Sequence, residues 1–286
     1  MHSTPLLSIV IPAHGRPAIL QRCLDHIREQ TIADQIEVIV VNDAEKVNLN
    51  VGNLDVRVLD VPPCHQGVAR NKGVEVARGK YVIFIGDDIF LAPHACEKHL
   101  GCHPERSEGP TAVLGFTTWD PALEITPVMH WLEKSGWQFG YPMIKQFSHQ
   151  VIPTSIQHKF SYTSHISLPT EIAKKFPFRE DVMLYGWEDV EWGWRLKEVG
   201  IPLFYEPDAR AFHHHAMTME ESLERMETLG ESAMEMERLV SKDSAAFQAA
   251  EIVPRGWKLF KYRIASMLPG MRGAHAKAFL TGLDAK

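Results

Sequence analysis

The apolar residues of the first ninety positions fall into four short runs with very few polar residues inside them. These runs, rich in Val and Ile, are LLSIVIP (6–12), EVIVVND (37–43), VRVLDV (56–61) and KYVIFIG (80–86). Strands that are covered on both faces show this pattern, whereas a strand with one wet face alternates apolar and polar residues. The pattern therefore predicts four strands of a parallel sheet.

Two stretches between these runs have apolar residues at helical spacing. Residues 17–30 begin with Pro17, which suits the first position of a helix, and residues 65–79 end at Gly79, a residue typical of helix ends. Alternation of strands and helices builds an open α/β sheet. Residues 1–90 are therefore predicted to form the nucleotide-binding half of a Rossmann-like, mixed but mostly parallel sheet flanked by helices.

The pattern loosens after residue 90. Further strands are predicted over residues 111–119, 160–169 and 202–215, and a helix over 188–200, whereas residues 119–160 show no clear period. Residues 217–240 are strongly helical, with Met, Leu and Ala on one face and acids opposite. The expected organisation is one domain over 1–216, with halves 1–90 and 91–216, followed by a helical extension over 217–286.

Composition and charge narrow the class of protein. With 45% apolar residues in 286, the chain can bury a sizeable core, and a net charge of -6 does not favour nucleic acid as a partner. Four cysteines without paired spacing, and no leader before the first strand, predict a cytoplasmic protein with reduced thiols. No apolar run reaches the roughly 18 residues of a membrane-spanning helix.

Carboxylates stand directly after two of the predicted strands. Asp43 closes the second run, and Asp87 and Asp88 follow the fourth. Because the carboxyl ends of parallel strands meet at one edge of a sheet, these acids are expected to face one crevice. Adjacent carboxylates repel each other unless a cation neutralises them, so a divalent metal is the natural partner. Acids at strand ends also form turns or cap helices, and this alternative stays open.

The segment HQGVARNKG (65–73) carries a candidate phosphate site. It places Gly67, Arg70 and Asn71 in the first turns of a helix whose amino end should point at the same crevice. Backbone N–H groups, the helix dipole and a guanidinium all favour an anion there. Taken alone, Arg70 is more typical of a surface arginine.

Acids also crowd the start of the helix predicted over residues 188–200. Glu188, Asp189 and Glu191 lie there among three indoles, those of Trp187, Trp192 and Trp194. Acids in a first turn ordinarily complement the helix dipole. The indoles favour another interpretation, a partly desolvated pocket that raises the pKa of a carboxylate toward the range of a general base.

Three consecutive histidines follow the last predicted strand. In an extended segment His213 and His215 point to one side and His214 to the other, so at most two of them can reach one ligand. Single histidines are usually structural, whereas three at a strand end near an acidic site favour metal ligation.

Together these motifs resemble a known family. LSIVIPAHGRP, VIVVNDA, GVARNKGVEVARGKYVIFIGDD, GWEDVEWGWRLKEVG and AFHHH stand in the order and at the intervals of family 2 glycosyltransferases of the A-type fold, which move a sugar from a nucleotide diphosphate. The resemblance spans residues 6–216, with 91–216 as the half that would hold the acceptor.

The resemblance implies a role for each matching residue. It implies contacts with the nucleotide-sugar from Pro12, Ala13, Asp43, Arg70, Asn71 and Asp87, with Asp43 at the base, Asp87 beside the ribose and Arg70 near the diphosphate or the donor sugar. It implies that Asp88 ligates Mn²⁺ or Mg²⁺ together with His213 or His215, between which the sequence does not choose. It implies that Asp189 activates the acceptor, with Glu188 as its neighbour or as a clamp on the acceptor.

The chain departs from the family pattern in two places. Gly86 stands where the family's DxD element has its first acid, so the metal is expected to be held more weakly, or by one carboxylate and the phosphates. The QxxRW signature of processive members is absent, which favours transfer of a single sugar. The implied reaction is metal-dependent, inverting transfer from a nucleotide-sugar, a UDP-sugar by family frequency, to a hydroxyl of a glycan or lipid-linked acceptor, in polysaccharide, glycolipid or cell-envelope glycan synthesis.

Two other functions stay open. A sugar nucleotidyltransferase uses a similar sheet, but its GxGTR-type loop is missing, since IPAHGRPAIL contains only Gly15. A catalytically impaired relative that binds nucleotide or carbohydrate is compatible with Gly86. A dinucleotide-dependent oxidoreductase is disfavoured because no GxGxxG follows the first strand.

The end of the chain differs in charge from the rest. Residues 254–286 carry seven Lys or Arg against one acid, and in 254–279 these basic residues alternate with aromatic and aliphatic ones. This mixture predicts peripheral, salt-sensitive association with an anionic membrane surface, at the inner face of the cell membrane. A packed helical extension with a solvated basic face is the alternative. The sequence leaves the oligomeric state, including a homodimer, open.

Overall fold

The first half of the chain forms the predicted parallel sheet with helices on both faces. A computed structural model describes residues 4–103, 109–182, 185–240 and 252–285. Its first elements are β1 (Leu7–Ala13), α1 (Pro17–Arg28), β2 (Ile36–Asn42), β3 (Asp55–Asp60), α2 (Gln66–Val76) and β4 (Tyr81–Ile85). Each agrees with a predicted element within a few residues.

The second half contributes strands of both directions and short helices. These are β5 (Ile89–Leu91), α3 (Ala95–Gly101), β6 (Ala112–Trp119), α4 (Pro127–Ser135), α5 (Tyr141–Ile144), β7 (Gln150–Val151), β8 (His165–Pro169), α6 (Thr170–Lys175), α7 (Glu188–Glu198) and β9 (Leu203–His213). The strand predicted over 160–169 is confirmed only from His165, because residues 157–160 form a 3-10 turn.

Within the described residues the strands form one sheet in the order β3-β2-β1-β4-β8-β6-β9-β5, and β7 pairs with β9. Strands β3, β2, β1 and β4 are parallel, whereas β8 runs antiparallel to β4 and β6. The prediction that all four early strands are covered on both faces is wrong for β3, which is the outermost strand and leaves Val58 exposed.

Strand β5 brings the two halves of the sheet together. It follows the acids after β4 and pairs antiparallel with the end of β9, so that Ile89 lies opposite His213. A backbone hydrogen bond from the His214 N–H to the Asp88 carbonyl, 2.8 Å long, continues this pairing. Residues 124 and 126 positions apart in the chain are thereby held side by side.

Helices α8 (Met219–Val240), α9 (Gly256–Ser266) and α10 (Met271–Asp284) form the extension predicted after residue 216. Helices α8 and α10 pack closely, since a Cβ on Gly230 would lie 2.2 Å from the Phe279 carbonyl oxygen. Their apolar side chains share one cluster with Trp187 and Val190 at the start of α7. No helix within the described residues has a stretch long and apolar enough to cross a bilayer.

Candidate active site at the carboxyl edge of the sheet

Asp87 and Asp88, the acid pair, lie in the turn between β4 and β5 and are almost completely shielded from water. Their side chains are 4% and 12% exposed. Gly86, at the position where the family has another acid, leaves room for Asp88, because a Cβ there would lie 2.9 Å from the Asp88 Oδ1. Glycine at position 86 therefore allows the Asp88 carboxylate to pack closely against the backbone.

Arg16, in the loop after β1, neutralises the acid pair. Its Nη1 donates to Asp88 Oδ2 at 2.8 Å, its Nε donates to Asp87 Oδ2 at 3.3 Å, and its Nη2 donates to Asp87 Oδ1. Burial raises the pKa of Asp87 to about 6, although the Arg16 charge opposes this shift. The sequence interpretation missed Arg16, yet it follows the strand next to β4.

Two of the three histidines face Asp88. The Nε2 of His213 lies 3.6 Å, and the Nδ1 of His215 lies 3.9 Å, from Asp88 Oδ2. Burial opposes ionisation of Asp88, but the hydrogen bond and charge of His213, together with Arg16, hold the pKa of Asp88 well below its usual range. Both histidines left open by the sequence thus reach the same carboxylate.

The third histidine points away, as the alternation in an extended segment requires. His214 hydrogen-bonds to Asp120 at 2.7 Å and stacks on Phe90, with ring centroids 5.1 Å apart. The His213 and His215 rings instead stack on each other at 5.4 Å. Trp119 stacks on the His213 imidazole at 5.3 Å and fixes its plane.

These donors fit a divalent metal. One ligand atom each from Asp88, His213 and His215 lie within 4.8 Å of one another, a spacing that one ion could bridge. Burial lowers the pKa of His215, which favours the neutral, ligating form of the imidazole. The Nδ1 of His213 is buried without a hydrogen-bond partner among the described residues.

Asp43 lies at the same edge of the sheet, after β2. Its carboxylate accepts hydrogen bonds from the Cys64 N–H at 3.1 Å and contacts the exposed His14 at 2.7 Å. Its own N–H donates to the carbonyl of Ala13, the residue that ends β1 beside Pro12. Asp43 therefore joins the loop after β1 to the segment that leads into α2.

Arg70 is buried, so its interpretation as a surface arginine is wrong. It donates to Gln66 at 2.9 Å and to Glu188 at 3.5 Å, and its guanidinium lies over the Phe178 ring. Burial lowers the pKa of Arg70, and the neighbouring Glu188 and Asp189 oppose that shift. Arg70 thus links the start of α2 to the acids of α7.

The Asn71 amide is engaged by the protein itself. Its nitrogen donates to the Phe178 carbonyl at 2.9 Å and to Glu180 at 3.2 Å, and its oxygen accepts from the Phe178 N–H at 2.8 Å. These contacts hold α2 against the segment before α7. The predicted nucleotide contact of Asn71 would have to replace some of them.

Asp189 and Glu188 begin α7 beside Arg70. Burial, reinforced by the charge of Glu188, raises the pKa of Asp189. Glu191 belongs to the helix instead, since it pairs with Arg195 at 2.7 Å and 3.0 Å. The shift in Asp189 is in the direction that a general base requires.

The three indoles near these acids do not line one pocket. Trp192 is fully buried and stacks on Phe178, Trp187 donates to the Leu229 carbonyl, and Trp194 packs on His158. The predicted desolvation of a carboxylate is nevertheless found at Asp189, whose pKa is raised by burial. The three indoles are close in sequence but contact different segments, because side chains along a helix point in different directions.

Other aromatic residues close the gap between Asp189 and the histidines. The Asp189 charge reaches Tyr162, whose pKa is raised mainly by burial, and the Tyr162 ring lies 5.4 Å from Phe139. Phe139 in turn lies 6.0 Å from the His213 ring. The acid pair, the histidines and the acids of α7 therefore border one region.

The amino-terminal part of the chain is similar to a known protein family. Residues 8–109 match the model of Glycosyl transferase family 2. A protein of Bacillus subtilis (strain 168) assigned as glycosyltransferase EpsH is 33% identical over 104 residues, which is 34% of this chain and 30% of that protein. The matched segment therefore spans less than a third of that relative.

Solved structures extend the likeness to the whole fold. A mannosyltransferase from Pyrobaculum calidifontis, in complex with GDP-Man and Mn²⁺, superimposes with a TM-score of 0.58 at 15% identity over 99% of this chain and 76% of that one. TarS 1-349 of S. aureus, in complex with UDP, gives 0.55 at 12% identity over 98% and 90%. The chain has the A-type glycosyltransferase fold, and its residues 8–109 are similar to glycosyl transferase family 2.

Proposed function

We propose that the protein is a metal-dependent, inverting glycosyltransferase that moves one sugar from a nucleotide-diphosphate sugar to a hydroxyl acceptor. The observation that carries this proposal is the approach of His213 and His215 to Asp88 at the carboxyl edge of the sheet. A similar sheet alone would serve many functions, whereas this donor set serves a cation beside a phosphate.

Asp88, His213 and His215 are proposed to hold Mn²⁺ or Mg²⁺. When bound, the ion supplies positive charge to the diphosphate as it leaves. The two nitrogen donors compensate for the acid that Gly86 replaces. Arg16 occupies the acid pair in this structure, so part of its contact with Asp88 must loosen when the ion binds.

The nucleotide is proposed to lie over the ends of β1, β2 and β4. Pro12 and Ala13 would form the floor of the pocket, Asp43 would contact the base in place of His14, and Asp87 would face the ribose. The support for this placement is that Asp43, Ala13 and the acid pair lie at the ends of three adjacent parallel strands. In this fold class such strand ends bind ligands.

Asp189 is proposed to take the proton of the acceptor hydroxyl, with Glu188 beside it. Burial disfavours the charged form of Asp189, which increases its affinity for a proton. Arg70 contacts Glu188, and its position between α2 and α7 suits the donor sugar or diphosphate. Direct attack by the activated hydroxyl inverts the anomeric centre.

A UDP-sugar is the proposed donor, and transfer of a single sugar the proposed outcome. The S. aureus TarS structures include complexes with UDP and with UDP-GlcNAc, whereas the Pyrobaculum enzyme carries GDP-Man, so both bases belong in any test. The acceptor is proposed to be a glycan or lipid-linked molecule of the cell envelope.

A screen of nucleotide-sugars tests the proposal. Hydrolysis or transfer should require Mn²⁺ or Mg²⁺ and stop in EDTA, and Asp189→Asn should retain nucleotide binding while losing transfer. Glu198→Gln is the matched control, since it changes an exposed residue of the same helix. If the protein bound nucleotide without metal and turned over no donor, the result would instead support the alternative of a catalytically impaired protein that only binds nucleotide or carbohydrate.

Association with a membrane surface is proposed for α9. Trp257 is 68% exposed, and Phe260 and Ile264 are also exposed along the same side of the helix. Met267, which is 79% exposed, and Leu268 follow directly after the helix. The exposed Lys261 and Arg263 lie among them. An apolar stripe with basic neighbours suits the interface of an anionic bilayer.

Sedimentation with vesicles tests this part of the proposal. The protein should bind vesicles that contain phosphatidylglycerol at low salt, and both Trp257→Ser and high salt should weaken binding. Thr281→Ser, on α10, is the control for a neutral change in the extension. Absence of binding to anionic vesicles at low salt would refute it.

A further inference from the structure

A cavity of about 750 Å³ lies beside the candidate metal ligands, between β6, β9 and the segment from α4 to Ser148. Its walls include the rings of Phe116, Trp119, Phe139, Tyr141 and Tyr205. Among these, Trp119 and Phe139 also contact the His213 ring. The cavity therefore shares two of its wall residues with the surroundings of the candidate metal ligand His213.

The rim of this cavity is basic. Lys134, Lys145 and Arg210 line it and are exposed, and the described residues offer none of the three an ion pair. The one carboxylate in the lining, Glu133, already accepts a hydrogen bond from Thr118. Cations without acidic partners around an aromatic cavity leave a local positive potential.

The positive charge of the cavity rim is opposite in sign to that of the whole protein, which has a net charge of -6. Three acids, Asp43, Asp87 and Asp88, lie at the proposed nucleotide pocket, and the proposed metal and Arg70 would neutralise the phosphates of the nucleotide-sugar. The basic rim is therefore not needed by the donor. A second anionic molecule would be attracted to it.

We infer that this cavity binds the acceptor, and that the acceptor carries an anionic group, a phosphate or a carboxylate, next to a sugar or other ring. The ring packs on Trp119 and Phe139, and the anion lies against Arg210 and Lys145. This inference rests on the proposed glycosyl transfer, because it names the molecule whose hydroxyl Asp189 would activate. Aromatic faces bind pyranose rings through dispersion and hydrophobic contact, whereas the rim selects for charge.

A matched set of acceptor analogues tests the inference without the donor. Binding of p-nitrophenyl β-D-glucuronide, p-nitrophenyl β-D-glucoside 6-phosphate and neutral p-nitrophenyl β-D-glucoside is measured by ligand-observed NMR titration. Both anions should bind about tenfold more tightly than the neutral glucoside at low salt, and the difference should shrink with salt. The stronger of the two anions identifies whether the rim suits carboxylate or phosphate.

Variants locate the binding. Arg210→Gln and Lys145→Gln should each remove most of the preference for the anions, and Trp119→Phe should weaken all three analogues alike. Lys277→Gln is the control, since it neutralises an exposed cation of α10 outside the cavity. Because Arg210 and Lys145 are exposed, their replacement should leave the thermal unfolding temperature nearly unchanged.

Metal-dependent binding of UDP to the same preparations separates this inference from the proposed function. Equal binding of charged and neutral analogues, or no binding of any, with UDP binding intact, overturns the acceptor assignment alone. Loss of the preference in Lys277→Gln would also overturn it. Failure of wild-type protein to bind any nucleotide in the presence of metal would overturn the proposed function.

Discussion

Replacement of Arg16 by Ala should destabilise the protein, and Mn²⁺ should reverse much of the loss. The guanidinium is the cation that contacts Asp87 and Asp88 in this structure, and their side chains are only 4% and 12% exposed. Removing one partner of a buried ion pair costs about 3–5 kcal/mol. Arg16 itself is 39% exposed, so water screens the interaction, and we expect the lower figure of ~1–3 kcal/mol.

For a chain of this size that loss corresponds to a fall of roughly 2–10 °C in the unfolding temperature. Differential scanning fluorimetry at pH 7.5, with and without Mn²⁺, measures it. Since Arg16 competes with the metal for Asp88, the rise caused by Mn²⁺ should be larger in Arg16→Ala than in the wild type. Arg28→Ala, which removes a more exposed pair with Asp25, should change the temperature little. An unchanged unfolding temperature in Arg16→Ala, or an equal response to Mn²⁺, would refute this reasoning.

Three further predictions concern the other acids. Asp189→Asn should lower kcat by about 10²–10⁴-fold with little change in nucleotide affinity, as steady-state kinetics and calorimetry would show. A variant that loses nucleotide affinity together with kcat would contradict the role of Asp189 as general base. Burial raises the pKa of Asp189 in the folded protein. The free energy of unfolding of the wild type should therefore fall as pH rises through this pKa, while kcat rises. An Asp189→Asn variant whose unfolding has the same pH dependence would exclude Asp189 as the cause. Asp43→Ala should weaken UDP binding, whereas His14→Ala should not, because His14 is exposed and is displaced by the base; equal losses in a titration would argue against the placement of the base.

Short-range sequence patterns predicted the parts of the fold that depend on them. The buried runs of β1, β2 and β4 and the period of α1 and α8 are local signals, and the structure confirms these elements. The alternation in AFHHH likewise placed His213 and His215 on one side. Strand β5, only three residues long, has too short a pattern to be recognised before its partner β9 is known.

The predictions that failed concern features that depend on contacts between distant segments of the chain. Arg70 is a charged residue, so only the positions of Glu188 and Phe178 explain its burial. The cavity walls between residues 116 and 148 lack a period because short helices and turns form them. Arg16 could have been anticipated from topology, since the loop after β1 must pass beside the end of β4.

The central claim is that Asp88 and the two histidines hold one divalent ion that binds the diphosphate. Calorimetric titration of UDP into wild-type protein, with Mn²⁺ and with EDTA, tests it directly when repeated on Asp88→Asn and on His213→Gln combined with His215→Gln. The account predicts that Mn²⁺ tightens UDP binding in the wild type and does so in neither variant. Equal tightening by Mn²⁺ in all three proteins would contradict it.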